Sequence, residues 1–253
     1  MLNIKNEIAY IVLNNPEKGN VLTQEVKNEI RDTFMKIKYD YKIRVIIISG
    51  NGKHFCVGGD VKTMKGINSI QARDRMRKNG EWIKEVANIE KPVISAVHGA
   101  AAGAGLGIAL ASDFIVAAED AKFVSSFINI GLVSDMSVLY FLPRRVGLAN
   151  AKRISYSGKP VLAEDAFKIG MIDQVVCKGD LMKEAEKMAR EFLDKPTYVL
   201  GMTKKLANES FETNFNEFLE KEIYYQTVAF QTEDHKNSLD SFINKKESKF
   251  KGI

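Results

Sequence analysis

Short, wholly apolar runs alternate along the chain with longer segments in which apolar residues recur every three or four positions. Ile8 to Leu13 and Val45 to Ile48 are such runs, and each ends in turn formers, Asn14-Asn15-Pro16 and Ser49-Gly50-Asn51-Gly52. An apolar run of this length bounded by turn signals predicts a buried strand. Between the two, Thr23 predicts the cap of a helix whose positions Val26, Ile30, Phe34 and Ile37 share one face. A second amphipathic segment, Ile70 to Ile89, stops at Pro92. It is followed by a strand over Val93 to Val97, a small-residue helix over Ala104 to Ala111, and short strands over Phe114 to Ala117 and Lys122 to Val124. Strands alternating with helices predict an α/β core with parallel pairing, because crossover helices cover the sheet.

From Lys195-Pro196 onward there is no further proline and no strand run, only a long helical pattern with Phe215, Phe218, Leu219, Ile223 and Tyr224 on one side. The chain therefore divides into a core over 1–195 and a C-terminal helical module over 196–253. With Tyr225 and Phe230 added, this module carries more aromatic surface than one buried stripe needs. Two readings stand: a face that meets another subunit or a cofactor, or a helix packed back on its own core.

A chain of 253 residues, 45% hydrophobic and 27% charged, has enough apolar surface to fold without a metal or disulfide staple. Cys56 and Cys177 have no CxxC partner and are expected to be reduced thiols. The most apolar stretch, Pro92 to Ala111, contains His98 and four glycines, so it reads as strand, turn and helix and not as a membrane span. The N-terminal stretch lacks a basic head followed by an apolar core, and the expected location is the cytoplasm, with no membrane partner. The net charge of +5 fits either a polyanionic ligand or a surface simply rich in lysine. Nucleic acid is not the expected one, since the basic runs are interleaved with acids and match no recognition module.

Three places carry candidate chemistry. Phe55-Cys56-Val57-Gly58-Gly59-Asp60 follows a predicted strand, and its glycines either let the backbone present an N–H to a ligand or simply form a tight turn. Gly103-Ala104-Gly105-Leu106-Gly107 opens a helix, where free N–H groups suit an anion or a developing oxyanion; close helix packing is the alternative. It lacks the last glycine of a dinucleotide fingerprint and the Gly-Lys-Ser/Thr of a P-loop. Asp135, flanked by Leu132, Val133, Met136 and Val138, is either a carboxylate with a raised pKa that shuttles a proton or a cap on the following helix, a role Ser134 would fill equally. His54, His98 and His235 are not at ligand spacings, and no zinc or other metal site is expected.

Taken in order, these segments resemble the crotonase superfamily of enoyl-CoA hydratases and isomerases over nearly the whole chain. The resemblance rests on Asn15-Pro16-Glu17-Lys18-Gly19-Asn20-Val21-Leu22, on Phe55 to Lys62, on Lys91-Pro92 through Gly105, on Leu142-Pro143-Arg144-Arg145-Val146-Gly147 and on Gly170-Met171-Ile172-Asp173. It implies a spiral of repeated β-β-α units, a C-terminal module that builds trimers or pairs of trimers, and an acyl-CoA substrate, with coenzyme A present only as part of that substrate. It places the thioester oxygen between the N–H groups of Gly59 and Ala104, as an oxyanion hole. It lines the CoA path with Lys18, Asn20, Val21, Cys56, Asp60, Val61 and Lys62, with Lys249 and Phe250 reaching the nucleotide of a neighbouring subunit. Gly107 and Phe127, with Leu132, fall in the substrate pocket.

The departures from the pattern choose among activities. Hydratases of the superfamily use two glutamates, and the matching positions here are Gly107 and Phe127, neither of which moves a proton. Asp135 falls where some isomerases, and the chlorobenzoyl-CoA dehalogenases, place an aspartate. The dehalogenase histidine is matched by Gly80. The expected activity is a β,γ to α,β double-bond shift in an enoyl-CoA with Asp135 as the single proton shuttle. The alternatives are a hydratase-like lyase with a displaced acid and base, an aryl-CoA dehalogenase-like hydrolase, or an acyl-CoA-binding oligomer without catalysis.

Overall fold

The computed structural model describes residues 1–253. The chain opens with an antiparallel hairpin, β1 (Leu2–Lys5) and β2 (Ile8–Leu13). It continues through α1 (Gln24–Lys38), β3 (Val45–Gly50), α2 (Ser69–Asn88) and β4 (Val93–Val97). Thr23 caps α1 by accepting the Val26 N–H at 3.4 Å, and Asn68 and Gln71 form a reciprocal capping box on α2. Next come β5 (Ala100–Ala102), α3 (Ala104–Ala111), β6 (Phe114–Ala118) and β7 (Lys122–Val124). After α4 (Val138–Ser157), β8 (Val161–Leu162) and α5 (Ala163–Lys168), β9 (Gln174–Val176) precedes α6 (Leu181–Leu193).

Six strands form the main sheet in the order β1-β2-β3-β4-β6-β9, parallel from β2 onward. A second sheet has the order β5-β7-β8. Both faces of the main sheet are covered, which is why its strands read as continuous apolar runs. In β3, Ile46 and Ile48 join the large core that also holds Phe34, Trp82 and Leu106. Val45 and Ile47 point the other way, into a smaller cluster under Leu181, Ala185 and Ala189 of α6. β4 and β6 alternate in the same sense, with Val93 and Ile115 on one side and Ile94 and Val116 on the other. All residues of α3 are buried, so this helix is apolar all round and carries no amphipathic stripe.

The segment after β3 is threaded between two neighbours. Cys56 donates its N–H to Ala100 O at 3.0 Å and accepts from Ala102 N at 2.9 Å, which lays it along β5. On the other side, Val57 N donates to Gly19 O at 3.0 Å and Leu22 N to Gly58 O at 2.8 Å. Asn20, buried and at φ 59°, ties the arrangement together. Its amide donates to the carbonyls of Asn51, His54 and Phe55 at 2.7 to 3.2 Å, and its Oδ1 accepts the Asn15 N–H at 2.8 Å. Ligands of parallel sheets bind beyond the carboxyl ends of the strands, where the segments after β3 and β4 meet.

The C-terminal residues form α7 (Thr197–Glu209), α8 (Phe215–Ala229) and α9 (Glu233–Ile243). α8 buries no residue; it packs on α7 and leaves Phe215, Leu219, Ile223 and Tyr224 exposed. The apolar side of α8 is therefore not folded back on the chain's own core.

Gly105 sets how closely α3 approaches the threaded segment. A methyl group there would press into the Cys56 carbonyl oxygen and come within 2.8 Å of its Cβ. Gly105→Ala should destabilise the protein by about 1–3 kcal/mol through overpacking, roughly 2–4 °C of Tm per kcal/mol at this size. Scanning calorimetry measures it, and an unchanged Tm would contradict the packing described. Burial pushes the Cys56 thiol up to about 12, whereas Cys177 is exposed. A colorimetric disulfide reagent should therefore titrate one thiol in the native protein and both after denaturation.

Candidate active site

The backbone amides near the start of α3 that have no backbone acceptor within the chain include those of Gly59 and Ala104. Ala104 is the first residue of α3, where helix geometry leaves the N–H orphaned and the dipole adds partial positive charge. Gly103 before it turns at φ 50° and Gly58 beside it at φ 109°, conformations that L side chains rarely adopt. A Cβ on Gly58 would also lie 2.9 Å from the Ala102 carbonyl oxygen and 3.6 Å from the Ala104 nitrogen, so the two segments touch at this point. Gly59 and Ala104 line one cleft, together with Asp135, Phe127 and Leu132.

Asp135 reaches the cleft through a backbone bend. Met136 and Ser137, at φ 52° and 59°, place two successive non-glycine residues in the left-handed region just before α4. Ser137 is the cap position of α4 and makes no side-chain cap bond. Asp135 contributes only its backbone carbonyl, which accepts the Val138 N–H, and the Ser134 hydroxyl pairs with Ser125 at 2.9 Å. The capping alternative read from the sequence is thus not the one adopted. Burial raises the Asp135 pKa; Lys27 and Arg75 oppose the shift and do not cancel it. Of the four apolar neighbours expected around this acid, Leu132 and Met136 line the cleft, Val138 is buried in the core and Val133 is 79% exposed.

The structure adds three polar residues that the sequence reading missed. Lys27 of α1 is buried, with its ammonium donating to Asn79 Oδ1 of α2 at 2.9 Å. Burial lowers its pKa, Arg75 lowers it further, and Asp135 raises it. Arg75 of α2 donates to the Thr63 hydroxyl at 2.7 Å and to the Asp60 carbonyl at 3.4 Å. Its Nη2 lies 3.9 Å from where a Gly59 Cβ would sit. A signal for Lys27 was present in the sequence: it falls on the same helical face as Ile30, Phe34 and Ile37, a charge within an otherwise apolar stripe.

The other expected site residues are scattered. Val61 lines the cleft and is 57% exposed. Asp60 caps the following turn through the Lys62 N–H at 3.0 Å, while Lys18 and Lys62 are exposed and Val21 half-buried. The side chain of Asn20 is fully engaged in the threading described above. Cys56 has no exposed surface, and both its backbone groups are paired with β5, so it offers nothing to a ligand. Gly107 does not line the cleft either: a Cβ there would meet Met136 Cβ and its carbonyl oxygen at 2.6 Å, so its bareness makes room for the segment that carries Asp135. The Phe250 carbonyl accepts from Arg44 at 3.3 Å, Lys249 is exposed, and neither lines the cleft of its own chain. A larger apolar cavity bounded by Leu110, Phe141 and Phe211 holds neither the unpaired amides nor Asp135. The smaller cleft is thus the one that brings Asp135 together with Gly59 and Ala104.

Known proteins resemble this chain over nearly its whole length. The sequence is 30% identical over 251 residues to a crotonyl-CoA hydratase of Syntrophomonas wolfei, covering 99% of this chain and 96% of that protein. It is 32% identical over 253 residues to the 1,2-epoxyphenylacetyl-CoA isomerase of Escherichia coli, covering 98% and 97%. The crystal structure of an enoyl-CoA hydratase from Polaromonas sp. JS666 superposes with a TM-score of 0.92 at 28% identity, covering 99% of this chain and 98% of that one. Residues 3–253 match the model of the enoyl-CoA hydratase/isomerase family, and with this fold and these relatives the chain belongs to that family and has the crotonase fold.

Proposed function

We propose that the protein is an acyl-CoA isomerase that moves a β,γ double bond into the α,β position of an enoyl-CoA. The observation that carries this reading is that Asp135 is the only carboxylate lining a cleft that also holds two unpaired amides. Removing a proton from the carbon next to a thioester places negative charge on the thioester oxygen. The Gly59 and Ala104 N–H groups receive that oxygen, and a fixed donor of this kind contributes roughly 3–4 kcal/mol to the transition state. Asp135 takes the proton from the α carbon and returns it to the γ carbon, so one carboxylate serves as base and then as acid. A pKa raised by burial makes Asp135 a stronger base than an exposed aspartate and so favours the first half of that cycle. Phe127, 8% exposed, forms part of the apolar wall that shields the enolate from water.

The relatives' names include both an isomerase and a hydratase. Hydration is the second reading, favoured by the crotonyl-CoA hydratase relative. Against it stands the lining of the cleft, in which Asp135 is the only carboxylate; by the resemblance read from the sequence, Gly107 and Phe127 stand where hydratases carry their glutamates. The exposed apolar side of α8 supports the expectation of a trimer or a pair of trimers, with the core over 1–195 and the module over 196–253 as its building parts. Lys18, Lys62 and, from a neighbouring subunit, Lys249 supply cations for the CoA phosphates.

Incubated with a 3-enoyl-CoA, the protein should form the 2-enoyl isomer without change of mass, and Asp135→Asn should lower kcat by about 10²- to 10⁴-fold. Unaltered turnover in that variant, or a gain of water in the product, would remove this reading. Because the base must be ionised and its pKa is raised, activity should fall on acidification at a higher pH than an exposed aspartate would give. Light scattering should return a mass of three or six times 28.3 kDa, and Ile223→Glu should reduce it. A 28.3 kDa species at micromolar concentration would contradict the assembly.

A further inference from the structure

Lys27 is an unusual residue to find in an acyl cleft. It is 4% exposed, yet its ammonium has a single recorded acceptor, Asn79 Oδ1, and no carboxylate lies within 4.0 Å. Two of its three N–H bonds are left for whatever enters. Arg75 repeats the pattern: two guanidinium nitrogens are engaged by Thr63 and Asp60, while Nε is sealed from solvent without a partner. Both side chains line the cleft that contains the two open amides. Asp135 is the only acid among the lining residues, so with all three ionised the cleft carries one surplus positive charge.

A hydrocarbon acyl chain would displace water from these donors and leave them unpaired in an apolar enclosure, the least favourable state for a buried ammonium. A carboxylate offers several acceptor sites, and its charge-assisted bonds are the strong ones. We propose that the acyl chain of the substrate carries a carboxylate, held by the Lys27 ammonium with the Arg75 guanidinium adding positive charge from the cleft wall, so that this protein selects acyl-CoAs derived from dicarboxylic acids. Asn79, which lines the same cleft, is then a positioning residue: it fixes the ammonium through one N–H and leaves the other two free. The inference rests on the cleft being the acyl site, as proposed above, and does not require the isomerisation itself.

Binding of saturated, unreactive thioesters separates the two readings. By titration calorimetry, glutaryl-CoA and succinyl-CoA should bind about ten- to a hundredfold more tightly than valeryl-CoA and butyryl-CoA, the range expected for charge-assisted bonds to buried cations. Lys27→Met keeps the volume of the side chain and should erase that preference while leaving valeryl-CoA bound as well as before or better. Arg75→Gln, at a half-buried position, should reduce the preference and gives an independent reading if the Lys27 variant folds poorly. Asp135→Asn should retain the preference although isomerisation is lost. Equal binding of the charged and neutral thioesters in the unaltered protein, or a preference that survives both cation substitutions, overturns the assignment and leaves the isomerase reading intact. If no acyl-CoA binds at all, both fall.

Discussion

The backbone beside the cleft is held by hydrogen bonds on both sides of the Cys56 to Gly58 segment, while the N–H groups of Gly59 and Ala104 have no backbone acceptor, and the surrounding packing keeps that arrangement in place. The segment after β3 passes between the Gly19 to Leu22 strip and β5, with Cys56, Val57 and Gly58 each paired to one side or the other. Asn20 holds the start of that segment by its carbonyls, and Gly105 lets α3 come down on Cys56. An amide fixed in this way does not have to reorient when charge appears before it. That preorganisation is the main source of catalytic advantage in such a site. The sheet has no direct part in the chemistry, but its two-sided burial gives the amides a rigid support.

Much of this was legible in the sequence, for a physical reason. Strands buried on both faces must be apolar throughout, so β3, β4 and β6 announce themselves, and a helix of alanine and glycine such as α3 can only sit in the core. The small residues that permit close approach were legible too, at Gly58, Gly59 and Gly105. Side-chain partnerships were not. Whether Asp135 caps α4 or faces the cleft depends on the left-handed bend at Met136 and Ser137, and neither residue type signals such a conformation. Gly107 was expected in the pocket because of the position it matches, yet it serves the packing of Met136. The role of Lys27 depended on α2 bringing Asn79 and Arg75 alongside, a contact between residues some fifty positions apart in sequence.

Asp135 and Lys27 illustrate how one enclosure produces opposite shifts. Burial raises the pKa of the acid and lowers that of the amine, so each is drawn toward neutrality, and each then partly restores the charge of the other. They are not within ion-pair distance, and so do not neutralise each other by direct contact. Both groups line the same cleft, so each shapes the charge that the other presents there.

The contact between Gly107 and Met136 also limits what position 107 can hold. A Cβ there would come within 2.6 Å of Met136 Cβ and of its carbonyl oxygen, so any side chain at this point of α3 would press on the segment that carries Asp135. A bare backbone on the helix and the present course of the bend are therefore two halves of one fit, and a substitution at either would be felt at the other.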